Sequence, residues 1–330
     1  MDFIDLPKVE LHLHLDCSLS YEVVSRIDPS ITLDDYCRDF IAPVQCHSLA
    51  EYLVHAEHGI RLMQTISQLE WVTLGLLQQL QAENVRYAEI RFAPLLHTRK
   101  GLTPAEVVEA VSRALVQGMA ETGVEARLIL CTLRHFTEAQ SMETAYLTEQ
   151  FHGDIVVGFD IAGDEAGFPV DNHIAAFRYV TAKGIPSTAH AGEARGPESV
   201  REVLAHFHPK RLGHGVRSVE DPGLLDGLKS RNIHLEICPT SNVQTAIYGD
   251  VCSHAVNGLY QKGFSLNINT DGRTISNITL TEEYNNLHRC FGWGKEDFLR
   301  TNLMALDAAF IPPPLKEKLK AELREAYMAS

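Results

Sequence analysis

A single closed (β/α)8 barrel of the TIM type is the fold this sequence predicts, and three observations predict it. Short runs rich in β-branched and aliphatic residues alternate with stretches of helical apolar spacing; eight such runs recur from one end of the chain to the other; and no Gly/Ser-rich or Pro-rich linker separates them. A length of 330 residues is compatible with two average domains, but α/β barrels routinely exceed about 250 residues as one unit. The unbroken repeat therefore favours one domain over residues 1–330.

The strands are read at Val9 to Leu15, Arg86 to Phe92, Ala126 to Leu133, Ile155 to Asp160, Ser187 to Ala191, Arg211 to His214, His234 to Ile237 and Ser265 to Asn269. The clearest helix begins at Thr103-Pro104-Ala105-Glu106, where Thr caps, Pro suits the first helical position and Glu closes a capping box. Val107, Val111 and Leu115 form its buried stripe and Gly123 ends it. A second helix aligns Leu69, Val72, Leu76 and Leu80 on one face. Residues Ser20 to Asn84, between the first two strands, far exceed a minimal crossover. Extra helices are expected there, forming a lid over the C-terminal face of the barrel.

The formal charge of -14 repels phosphate backbones and anionic lipid headgroups, which disfavours nucleic acid or membrane as the main partner. A small neutral or cationic ligand stays compatible with that charge. Met1 to Pro7 has neither a basic segment nor a long apolar one, and no run of about 18 apolar residues occurs, so neither a signal peptide nor a membrane span is expected. The seven cysteines are scattered without a C-x-x-C pair and support neither a disulfide framework nor a zinc ribbon. A cytoplasmic protein is the simplest expectation.

Chemistry concentrates at the C-terminal ends of the strands, where catalytic residues of such barrels sit. In Glu10-Leu11-His12-Leu13-His14-Leu15-Asp16, residues two apart share a face, so His12 and His14 point together while Leu11, Leu13 and Leu15 face the helices. His190 and Glu193 finish the fifth strand, His214 the sixth and Asp271 the eighth. Imidazoles plus a carboxylate suit a divalent transition metal, zinc by preference, with one position left for water whose pKa the metal lowers towards 7. A nearby Glu and a further His then move protons. The same pattern without context carries little weight: His206-Phe207-His208 lies at a helix end, and His55 and His58 share a helix face without a metalloprotease-type carboxylate.

Five segments, in this order, closely resemble the adenosine deaminase family of metal-dependent amidohydrolases. They are Leu6-Pro7-Lys8-Val9-Glu10-Leu11-His12-Leu13-His14-Leu15-Asp16, Asp160-Ile161-Ala162-Gly163-Asp164-Glu165, His190-Ala191-Gly192-Glu193, Arg211-Leu212-Gly213-His214-Gly215 and Asn269-Thr270-Asp271. The resemblance implies that His12, His14, His190 and Asp271 bind one zinc ion per chain. It implies that Glu193 protonates purine N1 as hydroxide attacks C6, that His214 orients the water and stabilises developing charge, and that Asp271 helps activate the water. His14, Asp16, Gly163 and Gly272 are expected along the substrate, with Gly163 letting the backbone approach purine N3 and Asp16 binding the ribose 5′-hydroxyl. The fourth strand ends without the Lys that two-metal relatives use.

Two positions depart from the family pattern. Gly272 stands where a second Asp, or Asn, contacts purine N7, and Cys17 stands where Gly is usual; Cys17 is read as a small buried residue. The implied activity is deamination of adenosine and 2′-deoxyadenosine to inosine and 2′-deoxyinosine. The alternatives are another N6-amino purine, such as aminodeoxyfutalosine or adenine, and a non-catalytic purine-binding member of the family. The other zinc deaminase signature, H-x-E with P-C-x-x-C, is absent.

Overall fold

The structure, a computed structural model, describes residues 3–329. Among them run the expected strands: β1 Lys8–His14, β2 Val85–Phe92, β3 Glu125–Leu133, β4 Val156–Ala162, β5 Thr188–Ala191, β6 Arg211–His214, β7 His234–Ile237 and β8 Leu266–Ile268. They pair in parallel as two four-stranded sheets, β1-β2-β3-β4 and β5-β6-β7-β8. Parallel bridges Phe159↔Ser187 and Leu13↔Asp271 join the sheets edge to edge and close the barrel. At the second seam β8 is short, and the Asn269 side chain replaces strand pairing: its Oδ1 accepts from the backbone N–H groups of Leu11 and His12 at 2.8 and 3.0 Å.

The sequence signals for individual helices operate as read. Pro104–Thr122 starts with a reciprocal Thr103/Glu106 capping box and stops at Gly123, whose φ of 74° a side chain would make costly. Val107, Val111 and Leu115 of that helix, and Leu69, Val72, Leu76 and Leu80 of Ile66–Ala82, are buried in the main core. The long first connection holds five helices: Tyr21–Ile27, Leu33–Asp39, Leu49–Val54, Ala56–Arg61 and Ile66–Ala82. Ala42, Cys46, Leu49, Tyr52, Ala56 and Ile60 from this segment form a small apolar core with Ile275, from the loop after β8. That core brings Leu49, Tyr52, Ala56 and Ile60 to the wall of the cavity at the barrel mouth.

The cysteine expectation needs a correction. Cys252 and Cys290, 38 positions apart, form a disulfide between the short turn Val251–Ser253 and the helix Leu280–Phe291. Spacing hid the pair because a helix and an intervening strand separate the two positions along the chain, while packing sets their Cα atoms 4.8 Å apart.

The barrel interior below the mouth carries charge. Glu89, Arg211, Glu236, Arg91 and Asp160, all fully buried, form a ladder in which the ion-pair contacts are 2.6, 2.7, 2.7 and 2.6 Å. The signs alternate along it, so each guanidinium lies between two carboxylates. Burial alone would raise the pKa of Glu236, but Arg91 and Arg211 hold it well below the usual range.

Candidate active site

Above the ladder its carboxylates orient the imidazoles. Glu236 Oε2 lies 2.9 Å from His12 Nδ1, and Asp160 Oδ2 lies 3.2 Å from His190 Nδ1. A carboxylate only accepts, so each Nδ1 carries the proton and each Nε2 is left as a donor atom for a metal. His12 Nε2 is 3.2 Å from Asp271 Oδ1, and His14 Nε2 is 3.4 Å from the same oxygen and 3.2 Å from His190 Nε2. Asp271 Oδ2 accepts from the Ser241 hydroxyl at 2.8 Å. Side-chain donor atoms of His12, His190, His214 and Asp271 all fall within 4.8 Å of one another. Gly213 makes this packing possible, since a Cβ there would stand 2.9 Å from His12 Cε1 and 3.2 Å from the His190 ring.

Two of these residues sit on strained backbone. His214 and Asp271 have φ of 60° and 64°, a region that disfavours residues with a Cβ by about 1–3 kcal/mol. Both lie where a strand ends and the chain turns across the mouth, and the turn is what aims their side chains inward.

Glu193 faces His214 from the next strand end, with Oε2 3.5 Å from His214 Nε2. Burial, reinforced by the charges of Asp271 and Glu165, pushes its carboxyl well above the usual range, so it is held as an acid. Glu165 sets the Glu193 backbone: its carboxylate accepts from the N–H groups of Gly192, Glu193, Ala194 and Arg195 at 2.6, 3.0, 2.6 and 2.9 Å, and from the Ser199 hydroxyl at 2.5 Å. Burial lowers the pKa of His214 well below 6.5, aided by His12, and lowers that of His14 to about 3; both are neutral bases or donors at pH 7.

These groups line one end of a cavity of about 320 Å³ whose walls are largely apolar. Gly163, at φ 97°, exposes backbone to it. Asp16 closes another part of the wall, with its Oδ2 3.6 Å from His97 Nε2. The burial that would raise the Asp16 pKa is outweighed by His97, and the carboxyl stays ionised. Gly272 and Cys17 touch: a Cβ at position 272 would stand 2.9 Å from Cys17 Cβ and 3.4 Å from the Tyr52 hydroxyl. The two departures from the family pattern thus fit each other, with Cys17 occupying space a side chain at 272 would need. Burial and the charges of Asp16 and Asp271 keep the Cys17 thiol protonated, in line with a packing role.

The structure therefore gathers His12, His14, Asp16, Gly163, His190, Glu193, His214, Asp271 and Gly272 around one cavity or its floor. It leaves His208 and His55 outside: His208 is exposed beyond a helix end, lining a separate cavity at the opposite end of the barrel, and His55 Nδ1 bonds the Asp39 carbonyl at 2.9 Å. Sequence reading assigned no role to Glu165, Asp160, Glu236, His97, Ser241 or Asn242. Glu165 and Asp160 were visible inside a recognised motif; the others come from segments whose approach only the fold reveals. Arg134, also unassigned, donates to the His190 carbonyl at 2.9 Å.

Comparison with known proteins places the whole chain in one family. The family profile described as Adenosine deaminase matches residues 7–326. The adenosine deaminase of Clostridium perfringens is 34% identical over 330 aligned residues, covering 98% of this chain and 99% of that one. Among solved structures, the N6-methyl-AMP deaminase of Arabidopsis thaliana superposes with a TM-score of 0.86 at 25% identity, covering 99% of both chains. The adenine deaminase of Arthrobacter aurescens superposes with a TM-score of 0.89 at 23% identity, covering 97% of this chain and 98% of that one.

Proposed function

The chain belongs to the adenosine deaminase family of hydrolytic deaminases, and from that premise we propose that it converts adenosine and 2′-deoxyadenosine to inosine and 2′-deoxyinosine with release of ammonia. The observation that carries the reading is Glu193: a buried carboxyl held protonated, beside the imidazole cluster, in a cavity with an ionised carboxylate at Asp16.

The donor set fits one zinc ion per chain. His12, His14 and His190 offer Nε2 atoms that face one another or Asp271 Oδ1 at 3.2–3.4 Å, an arrangement in which lone pairs oppose lone pairs unless a cation or proton lies among them. When bound, zinc supplies water activation at neutral pH. Glu193 gives its proton to purine N1, His214 donates a hydrogen bond towards the oxygen that adds at C6, and Asp271 accepts a proton from that oxygen and passes it to the amino group, which leaves as ammonia when the C6–N bond breaks. The oxygen's second proton restores Glu193 as the C6 carbonyl forms. Gly163 offers backbone to purine N3, Gly272 offers its N–H along the ring edge, and Asp16 accepts from the ribose 5′-hydroxyl.

Residues 1–330 are read as one catalytic domain in which the segment 20–84 covers the mouth, because Leu49, Tyr52, Ala56 and Ile60 wall the cavity. The cytoplasm is kept as the location, to be tested by cell fractionation, and the Cys252–Cys290 bridge makes that test informative. Among the described residues no helix is long and apolar enough to cross a membrane.

The second reading is another N6-amino purine, such as aminodeoxyfutalosine or adenine. Gly272 favours it, because the position offers no side chain to read the base. Ammonia release from adenosine, 2′-deoxyadenosine, adenine, AMP and aminodeoxyfutalosine at sub-saturating concentration ranks kcat/KM directly. Fastest turnover of the two nucleosides is the expected result. Preference for another purine moves the substrate and keeps the chemistry, and zinc-loaded protein that binds purine without turning over any of the five supports a binding protein.

A further inference from the structure

Behind His214 lies a hydrogen-bonded chain that the proposed mechanism does not use. Asn242, on the helix Pro239–Gln244 after β7, has its Nδ2 3.0 Å from His214 Nδ1. Asn242 Oδ1 is 3.1 Å from His254 Nε2, and His254 Nδ1 is 2.9 Å from the backbone nitrogen of Val256. His214, Asn242 and His254 are all buried, so no water competes for these bonds.

The polarity of the chain follows from its far end. A backbone N–H only donates, so His254 Nδ1 accepts and carries no proton. Burial keeps this imidazole neutral, with a pKa near 3, and its single proton then sits on Nε2. That N–H needs an acceptor, which Asn242 supplies with its oxygen, and the amide must turn its NH2 to His214. His214 Nδ1 therefore accepts and carries no proton, so the proton that an imidazole keeps sits on Nε2. Among the described residues His214 Nε2 has no hydrogen-bond partner; it lines the cavity, 3.5 Å from Glu193 Oε2.

The neighbouring rings have the opposite polarity. His12 and His190 present Nδ1 to carboxylates, which fixes a proton there and leaves Nε2 as the atom that faces Asp271 Oδ1 in one ring and His14 Nε2 in the other. Among His12, His190 and His214, the partner on Nδ1 thus separates the rings that offer Nε2 to a metal from the one that does not.

We propose that Asn242 and His254 are positioning residues that lock His214 as its Nε2–H tautomer, making it a hydrogen-bond donor into the site rather than a further metal ligand or a base. The inference deepens the deaminase reading and rests on it for its catalytic meaning, but the tautomer itself is a property of the folded chain. Asp271 is then left as the proton acceptor on that side of the cavity, its Oδ2 already occupied by Ser241.

Two-bond proton–nitrogen correlation spectra of the full-length, 15N-histidine-labelled protein as purified distinguish a bare ring nitrogen from a protonated one. The His214 signals are assigned by their loss in His214→Gln. Bare Nδ1 and protonated Nε2 at His214 are expected; a proton on Nδ1 in the unmutated protein overturns the proposal without recourse to any variant. Asn242→Asp replaces the amide donor by an acceptor and is expected to place a proton on His214 Nδ1. With the preferred purine, that variant should lose on the order of 10²-fold or more in kcat while KM changes little and zinc is retained. An unchanged His214 spectrum in folded Asn242→Asp, or unchanged kcat with the spectrum altered, contradicts the lock or its role in turnover. A protein that turns over none of the purines yet shows the stated tautomer defeats the deaminase reading and leaves the lock standing.

Discussion

Two buried layers of this barrel hold the same kinds of residue and do opposite things with them. In the ladder from Glu89 to Asp160 every carboxylate meets a guanidinium at 2.6–2.7 Å, and signs alternate. One layer up, Glu193, Asp271 and four histidines gather; among the described residues no Arg or Lys pairs with either carboxylate, and His214 Nε2 has no hydrogen-bond partner. Burial is alike in both; pairing is not. The lower layer is a stable scaffold that fixes ring tautomers above it, and the upper one holds groups away from their ordinary protonation states, which is the condition for acid–base chemistry.

The sharpest way to separate the layers is to remove one charge from each. Glu193→Gln keeps shape and removes the acid, and is expected to lower kcat by about 10²–10⁴-fold with zinc content retained and no loss of folded stability. Steady-state ammonia release together with metal analysis checks this, and activity within a few-fold of the unmutated enzyme would remove Glu193 from its role. Arg91→Met should do the reverse in kind. It leaves Glu236 and Asp160 facing each other without their shared cation, and a loss of about 3–5 kcal/mol in urea unfolding is expected. A loss under about 1 kcal/mol would mean that the ladder is not the scaffold described here.

The two layers also differ in how far the sequence reveals them. The mouth was legible because its residues fall in short motifs: His12 and His14 share a strand face by period two, and His190, Glu193, His214 and Asp271 lie at or just beyond a strand end. The ladder was not. Glu89, Arg91, Arg211 and Glu236 read locally as polar positions in strands, and only barrel closure brings β2, β4, β6 and β7 to one axis. Asn242, His97 and the Cys252–Cys290 bridge were hidden for the same reason, since each acts across the fold on a partner distant in sequence. Helix caps, by contrast, are local and were read correctly from four residues at Thr103.

Protonation gives opposite pH slopes for the two layers. Asp160 and Glu236 have depressed folded pKa values, so the stability they contribute is present above the unfolded carboxylate value of about 4 and is lost as pH falls through the folded values. Glu193 has a raised folded pKa. Its contribution is fully present below about pH 4 and is lost as pH rises towards that folded value. Urea titrations at a series of pH values should therefore show Glu193→Gln gaining stability relative to the unmutated protein as pH rises from about 4 towards neutrality. A difference independent of pH would contradict the raised pKa.

The smallest expected effect concerns the rim, where Cys17 and Gly272 pack together. Gly272→Asn forces a Cβ to within 2.9 Å of Cys17 Cβ, and overpacking of this kind costs about 1–3 kcal/mol. Cys17→Gly empties the contested space, so Asn at 272 should be tolerated in that background. The coupling between the two substitutions, from urea unfolding of both single variants and the double, is expected to recover most of the cost. Additive losses would show that the clash is relieved elsewhere, for instance by movement of Tyr52. If the coupling holds, the same double variant tests base recognition: a side-chain amide at 272 placed without strain should improve kcat/KM for a purine that it can contact through N7, and leave zinc binding unchanged.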